Sequence, residues 1–218
     1  MNIGVLFDVD GVLADSYVQH RESWRRVARA DGQDFTDEAF HATFGRHTRE
    51  IIEMLWDSPR TAEQVRVLDD AKEATYRESV RNSFPAMPGA VDLIRRVHAG
   101  GILIGIGSSG PRENVGLTIE KLGIRPYLTA VITGSDIRQG KPHPEVFLKG
   151  AEGLHLPPSQ CVVIEDARPG IEAGKAAGMK CIAFQSRGHY RDEYDQADLI
   201  VETMAEISVE VIRGLVNT

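Results

Sequence analysis

The chain has 218 residues, 42% of them hydrophobic and 26% charged, which is ordinary for a globular protein with a full core. Its formal net charge of −7 argues against nucleic acid as a partner, because a phosphate backbone needs a basic surface, but allows a small phosphorylated ligand. No apolar run is long enough to cross a bilayer and the N-terminal MNIGVLFDVD lacks a signal peptide's basic start, so we expect a cytoplasmic protein without a membrane partner.

The first predicted element is a buried strand, IGVLF, which ends at Asp8 and Asp10 and is followed by Gly11. Two carboxylates at one strand end crowd like charges together, and such crowding usually needs a cation. Asp and Gly are also common in ordinary strand-end turns. The acidic pair alone therefore leaves both interpretations open.

Residues 16–83 have a different character from the rest of the chain. They are rich in Arg, Glu, Ala and Asp, with apolar residues at three- and four-residue steps, and no strand alternation is visible. Thr61 and Gln64 have the spacing of a capping box at the start of a helix. We predict an all-helical cap domain at 16–83, inserted into a core domain formed by residues 1–15 and 84–218.

From residue 87 onward, short apolar runs alternate with helical stretches. This alternation predicts βαβ units and an α/β fold, with a Rossmann-like parallel sheet and helices on both faces. Prolines at 111, 144 and 169 suit the first turns of helices. Helix N-termini at the carboxyl ends of parallel strands form anion sites, so the chemistry is expected there. The runs are GILIGIGS, AVITG, CVVIED and MKCIAFQ.

Further polar residues follow these predicted strands. Ser108 closes one run, Lys141 precedes a helix, and Glu165 and Asp166 end the run CVVI. We expect each group to lie at the end of a different strand. If the CVVI strand lies beside the first strand, four carboxylates converge on one point, and oxygen-only ligands with room for water suit magnesium better than zinc.

In combination these motifs resemble the haloacid dehalogenase superfamily, in the subgroup of beta-phosphoglucomutase-like phosphatases with a helical cap after the first strand. The resemblance spans nearly the whole chain. It is carried by DVDGVLADS, the serine of GIGSSGPRENV, the lysine of GKPHPEVF, and VIEDARPGIEAGKAAGM.

The resemblance implies a Mg²⁺-dependent phosphohydrolase that cleaves a small phosphate monoester through an aspartyl-phosphate on Asp8. Asp10 would protonate the leaving alkoxide and then activate water. Ser108 would hydrogen-bond a phosphoryl oxygen, and Lys141 would offset negative charge. The implied catalytic residues are Asp8, Asp10, Ser108 and Lys141, and the implied metal ligands are Asp8, Asp10, Glu165 and Asp166.

Substrate binding is expected to involve the cap. The resemblance implies roles for His20, Arg49 and Lys72, although cations on a helical surface are mostly solvated, and Arg46 and His47 are further candidates. Ser109 and Arg112, next to the motif serine, complete the predicted substrate-binding set.

A sugar phosphomutase is the nearest alternative, but Gly110, Pro111 and Arg112 depart from the stretch that grips a distal phosphate in beta-phosphoglucomutase. A non-catalytic phosphate-accepting receiver module would be shorter and would lack the insertion at 16–83. A non-catalytic scaffold is disfavoured because clustered carboxylates are costly without a role. The expected partner is a small phosphorylated metabolite; no dimer face is visible, so we expect a monomer and leave the oligomeric state open.

Overall fold

The computed structural model describes residues 2–43 and 48–217. The chain divides into two compact units. The core unit comprises Met1–Asp15 and Ala86–Thr218, and the helical unit comprises Ser16–Pro85. The second boundary therefore falls two residues beyond the predicted one.

The core unit contains a six-stranded parallel sheet in the order β3-β2-β1-β4-β5-β6. The first strand is thus inserted centrally, between β2 and β4, as expected for a strand that joins the sheet across a long insertion. The sixth strand, which is three residues long, was not predicted. The strands are β1 Gly4–Phe7, β2 Leu103–Gly107, β3 Ala130–Ile132, β4 Cys161–Glu165, β5 Lys180–Phe184 and β6 Leu199–Val201.

The helical unit contains only helices and loops among its described residues. The capping box at Thr61 is confirmed: Gln64 N donates to Thr61 Oγ1 at 3.3 Å, and Thr61 N donates to Gln64 Oε1 at 2.8 Å. An apolar cluster that includes Trp24, Phe40 and Ile52 holds the helices together. They are α1 Tyr17–Ala30, α2 Asp37–Thr43, α3 Thr48–Leu55 and α4 Ala62–Val80.

Helices cover both faces of the core sheet. One apolar cluster packs Val5 and Phe7 against helices on the first face, and a second packs Leu6 against helices on the other. Side chains alternate along a strand, so β1 contributes to both clusters. Pro169 lies in a first helical turn as predicted, whereas Pro111 and Pro144 immediately precede their helices. The core helices are α5 Ala90–Ala99, α6 Arg112–Leu122, α7 Glu145–Gly153, α8 Arg168–Ala176 and α9 Val209–Val216.

The predicted fold class is confirmed: an α/β protein with a Rossmann-like parallel sheet, helices on both faces, and an inserted helical subdomain. Within the described part of the chain, we find no helix of the length and apolar character that a membrane crossing requires.

Candidate active site

Three carboxylates converge at the carboxyl ends of β1 and β4. Phe7 lies opposite Ile164 in the register of these strands, so Asp8 and Glu165 emerge side by side, and Asp166 follows directly. Asp8, Glu165 and Asp166 are all buried, and each places a carboxylate oxygen within 4.8 Å of the others. Three of the four predicted carboxylates are therefore brought together, and the Asp10 carboxylate is not part of this group.

Lys141 joins two of these carboxylates. Its Nζ donates to Asp8 Oδ1 at 2.5 Å and to Glu165 Oε1 at 2.6 Å, and its side chain is only 10% exposed. A buried ammonium between two carboxylates forms charge-assisted hydrogen bonds, which are stronger than neutral ones. Lys141 thus bridges the carboxylates that follow β1 and end β4.

The position of Lys141 corrects one expectation. It does not end a strand; it lies in the loop between β3 and α7, well after Ile132. This loop folds back because the backbone N–H groups of Arg138 and Gln139 both donate to Glu145 Oε2 at 3.0 Å. The long lysine side chain then spans the remaining distance to the strand ends.

Burial dominates the electrostatics of the cluster. It raises the pKa of Asp8 to about 7, against the opposing effect of Lys141. Burial, followed by repulsion from Glu165, also raises the pKa of Asp166. For Lys141, burial acts to lower the pKa, but attraction to Asp8 and Glu165 outweighs it and the pKa rises. Lys141 therefore stays charged, and one ammonium faces an excess of carboxylate.

Two glycines let the backbone approach these carboxylates. A Cβ placed on Gly11, whose φ is +76°, would lie 1.7 Å from Asp166 Oδ2. A Cβ on Gly170, in α8, would lie 1.8 Å from Glu165 Oε1. Glu165 Oε2 also accepts the backbone N–H groups of Asp166 and Ala167 at 2.9 and 3.0 Å. The acid pair is thus held by backbone on several sides.

The serine motif lies after β2, the other neighbour of β1. Ser108 is buried, and its Oγ accepts the backbone N–H of Gly110 at 3.0 Å. A Cβ on Gly110 would lie 3.2 Å from Ser108 Oγ and 3.9 Å from Asp10 Oδ2. Ser109 Oγ accepts a long hydrogen bond, 3.5 Å, from Lys141 N. The core unit therefore brings the predicted catalytic residues Asp8, Asp10, Ser108 and Lys141 to one edge of the sheet.

The chemistry of this donor set fits a hard divalent cation. Asp8, Glu165 and Asp166 supply oxygen ligands only, which suit Mg²⁺. Clustered buried carboxylates repel one another unless a cation compensates, and Lys141 supplies one positive charge. The three carboxylates are the residues that could hold a magnesium ion.

The predicted cap residues belong to the helical unit, where two of them meet. Lys72 is buried, and its Nζ lies 2.9 Å from His20 Nδ1 and 2.6 Å from Glu73 Oε1. The His20 ring stacks on Tyr76 with centroids 4.1 Å apart. Arg49 is instead half exposed and lies 3.8 Å from Glu53, so it does not join this cluster. Arg46 and His47 lie outside the described residues.

Arg112 lies in the core unit but has a partner of its own. Its Nη2 donates to Asp136 Oδ1 at 2.6 Å, and its side chain is 64% exposed. Asp136 also accepts from Thr133 N and Oγ1, so the arginine is attached to a local capping motif.

Sequence reasoning missed Ser186 and Glu73. Ser186 follows β5 closely and donates to Asp166 Oδ2 at 2.6 Å. The strand-end rule that identified Ser108 would have identified it, since it directly follows the run MKCIAFQ. Glu73 gave no such signal, because an acid beside a lysine on a helix is usually solvated.

Comparison with known proteins places this site in a family. The family described as haloacid dehalogenase-like hydrolase matches residues 5–184. The fructose-1-phosphate phosphatase of Escherichia coli (strain K12) is 30% identical over 179 residues, covering 82% of this chain and 94% of that protein. Hexitol phosphatase A of the same organism is 30% identical over 210 residues, covering 94% and 93%.

A solved structure agrees with these sequence matches. Beta-phosphoglucomutase from Clostridium difficile is 26% identical and superposes with a TM-score of 0.85, covering 100% of this chain and 98% of its own. The family match and the named phosphatase relatives together identify a phosphatase of this type. The chain belongs to the haloacid dehalogenase-like hydrolases.

Proposed function

We propose that this chain is a Mg²⁺-dependent phosphohydrolase that cleaves a small phosphate monoester through an aspartyl-phosphate on Asp8. The observation that carries the proposal is the Lys141 ammonium, bonded to Asp8 Oδ1 and Glu165 Oε1 and buried beside Asp166. A nucleophilic carboxylate needs positive charge beside it when a phosphate dianion approaches, and this arrangement provides it.

In the first step, an Asp8 oxygen attacks phosphorus while the bond from phosphorus to the ester oxygen breaks. Asp10 gives its proton to the departing alkoxide, so an alcohol leaves instead of an anion. Asp8 must be ionised to attack, and Lys141 favours that form by its ion pair. Ser108 and Ser109 hydrogen-bond the phosphoryl oxygens.

In the second step, Asp10, now a carboxylate, takes a proton from water, and the oxygen attacks the phosphorus of the aspartyl-phosphate. The bond from phosphorus to Asp8 breaks, which releases inorganic phosphate and restores both side chains. Dividing one displacement into two lets each step use a group that is already in place.

We propose that Asp8, Asp166 and the Asp10 carbonyl hold Mg²⁺, with Glu165 assisting. When bound, Mg²⁺ supplies positive charge that offsets the repulsion between the Asp8 carboxylate and the phosphate dianion. The support is the oxygen-only donor set and its excess of negative charge.

We propose a sugar phosphate or a similar small metabolite as the substrate. The support is that the relatives named above are phosphatases of fructose 1-phosphate and of hexitol phosphates. His20, Arg49 and Lys72 of the helical unit, with Arg112 of the core unit, stay the proposed substrate-binding residues. The monomeric state and the cytoplasmic location stay expectations from the sequence.

The test measures hydrolysis of p-nitrophenyl phosphate, whose leaving group can depart without receiving a proton. The wild-type protein should release phosphate with Mg²⁺ and not with EDTA, and Asp8→Asn should release none. Asp10→Asn should release about one p-nitrophenolate per chain in a burst and then stop, because water is no longer activated. Mass spectrometry should find one added phosphoryl group on Asp8 in that variant. Full activity in EDTA, or turnover by Asp8→Asn, would contradict the proposal.

A sugar phosphomutase stays the second candidate because the structural neighbour named above is a beta-phosphoglucomutase. The matched experiment offers beta-glucose 1-phosphate with a bisphosphate primer and follows glucose 6-phosphate. Isomerisation faster than phosphate release would identify a mutase. We expect phosphate release instead, because Gly110, Pro111 and Arg112 depart from the stretch that grips a distal phosphate in beta-phosphoglucomutase.

A further inference from the structure

We propose that Ser186 is a positioning residue for the metal ligand Asp166, which it orients by fixing one of the two carboxylate oxygens. This inference rests on the proposed magnesium site. Ser186 Oγ donates to Asp166 Oδ2 at 2.6 Å, and the Asp166 side chain is only 5% exposed. A ligand's hydrogen-bond partners usually decide which of its atoms face the metal.

Three neighbours converge on the same carboxylate oxygen. Besides the Ser186 hydroxyl, the Gly11 backbone packs against Oδ2, where a Cβ would come within 1.7 Å. His189 Nε2 lies 3.6 Å from Oδ2 as well. Since all three are on the Oδ2 side, Oδ1 is the oxygen that is presented to a cation.

Ser186 is fixed by the sheet. Glu165 lies opposite Ala183 in the β4–β5 register, which brings the residues after β5 alongside Asp166. Gln185 N donates to Val201 O at 2.8 Å and so extends the pairing to the residue before the serine. The hydroxyl therefore belongs to the residue that directly follows this paired backbone.

The residues that follow Ser186 return toward Asp166. His189 Nδ1 lies 3.0 Å from Glu193 Oε2, and Glu193 Oε1 accepts Tyr190 N at 2.8 Å. Arg168, at the start of α8, donates to Asp192 O at 3.0 Å and ties this segment to the helix that follows Asp166. The imidazole is thus held with its second nitrogen toward Asp166.

A hydroxyl is suited to this role because it orients a carboxylate without cancelling its charge. A lysine or arginine at position 186 would compete with the metal ion. Ser186 therefore holds the Asp166 carboxylate in one orientation, and the loss of its hydroxyl should weaken metal binding directly.

The experiment measures metal affinity without turnover. Binding of Mn²⁺, which takes the same oxygen ligands, is followed by loss of the free-ion EPR signal, and Mg²⁺ is then added as competitor. We expect Ser186→Ala to lower the affinity for each ion by about 10-fold. Ser186→Thr, which keeps the hydroxyl, should retain most of the wild-type affinity. Ser186→Cys, a weaker donor of similar size, should fall between them and serves if the alanine variant fails to fold.

The matched control is Ser208→Ala. Ser208 Oγ caps α9 by accepting Val211 N at 3.2 Å, so its removal should lower the thermal midpoint and leave metal affinity unchanged. Equal affinities in Ser186→Ala and the wild type would overturn the inference and leave the proposed function in place. A wild type that binds neither ion would overturn both. A parallel loss of affinity in Ser208→Ala would overturn the inference, since general destabilisation would then explain the effect.

Discussion

Each unit of this protein buries a lysine, and the two lysines have different surroundings. Lys141 in the core unit contacts two carboxylates and lies beside a third acid, so negative charge is in excess around it. Among the described residues, Lys72 in the helical unit contacts the carboxylate of Glu73 and the ring of His20. The Lys72 contact in the described part of the chain joins one ammonium to one carboxylate, whereas the core cluster gathers three carboxylates around one ammonium.

This difference separates two uses of a buried ion pair. A balanced buried pair adds little net stability, because desolvation offsets the Coulomb attraction, but it fixes side chains in place. An unbalanced cluster is costly until a ligand or metal completes it, and such sites are candidates for chemistry. Burial of a lysine is therefore less informative than the number of acids around it.

The largest expected effect is on the rate, in Lys141→Met. We expect kcat for p-nitrophenyl phosphate to fall by about 100- to 1000-fold, because one preorganised positive charge beside the reacting phosphoryl group is lost. Steady-state phosphate release measures this. The control is Lys121→Met, which removes an exposed lysine of the same unit and should leave kcat unchanged. A fall in kcat of less than tenfold in Lys141→Met would contradict the idea that the surroundings of Lys141, unlike those of Lys72, serve catalysis.

The next effect is a dependence of stability on pH in the metal-free core. The Asp8 pKa of about 7 lies above its unfolded value near 3.8, so the folded state keeps a proton that the unfolded state has lost. Stability should therefore fall between pH 4 and pH 7, by a few kcal/mol at most. Urea unfolding in EDTA at several pH values measures the slope. Asp8→Asn should reduce it; an equal slope in that variant would show that Asp8 is not its source.

The third expected effect is an energetic coupling between Lys72 and Glu73 in the helical unit. Lys72→Met and Glu73→Gln should each lower the free energy of unfolding. The double variant should lose less than the sum of the two single losses, and the difference, the coupling energy, should be about 1–2 kcal/mol. Urea unfolding of the four proteins gives this coupling. The exposed pair Arg66–Asp70, whose side chains are 62% and 67% exposed, is the control and should couple by less than about 0.5 kcal/mol. Similar coupling energies for the two pairs would mean that burial does not strengthen the interaction between Lys72 and Glu73.

The fourth and smallest of these effects is on the free energy of unfolding, through the N-terminal cap of α4, the helix that carries Lys72. Thr61→Ala removes the capping-box acceptor for Gln64 N and should cost about 1 kcal/mol of unfolding free energy. Thermal unfolding measures it, with Thr61→Ser as the conservative control. A loss equal to that of Lys72→Met would indicate that helix formation, and not the ion pair, limits the stability of this unit.

The sequence predicted the fold well because the periodic signals were strong. Apolar runs bounded by glycine and proline gave five of the strands, and the Thr61–Gln64 spacing gave the start of α4. The sixth strand escaped because its run, LIV, lies between Asp198 and Glu202 and has no bounding glycine or proline. The acidic strand ends were predictable because parallel strands place their carboxyl ends at one edge of the sheet.

The parts of the site that depend on loops could not be predicted in the same way. Lys141 reaches Asp8 from a loop whose path is set by Glu145 side-chain bonds, which no local pattern records. The contact of Lys72 with Glu73 depends on side-chain direction at neighbouring helix positions. Arg112 stays a predicted substrate-binding residue, and its bond to Asp136 follows from a turn that the sequence did not reveal.

The close backbone approach at Gly11 and Gly170 has a consequence for protein engineering. A methyl group at either position would overlap a site carboxylate, so both glycines should be held constant in any library built on this scaffold. Gly116 in α6 is the opposite case, since a Cβ there would meet no atom within 4 Å. Gly116→Ala should stabilise α6 by about 0.5–1 kcal/mol. Variants selected for thermostability are therefore expected to lose glycines from the outer helices first and to keep those beside the acids.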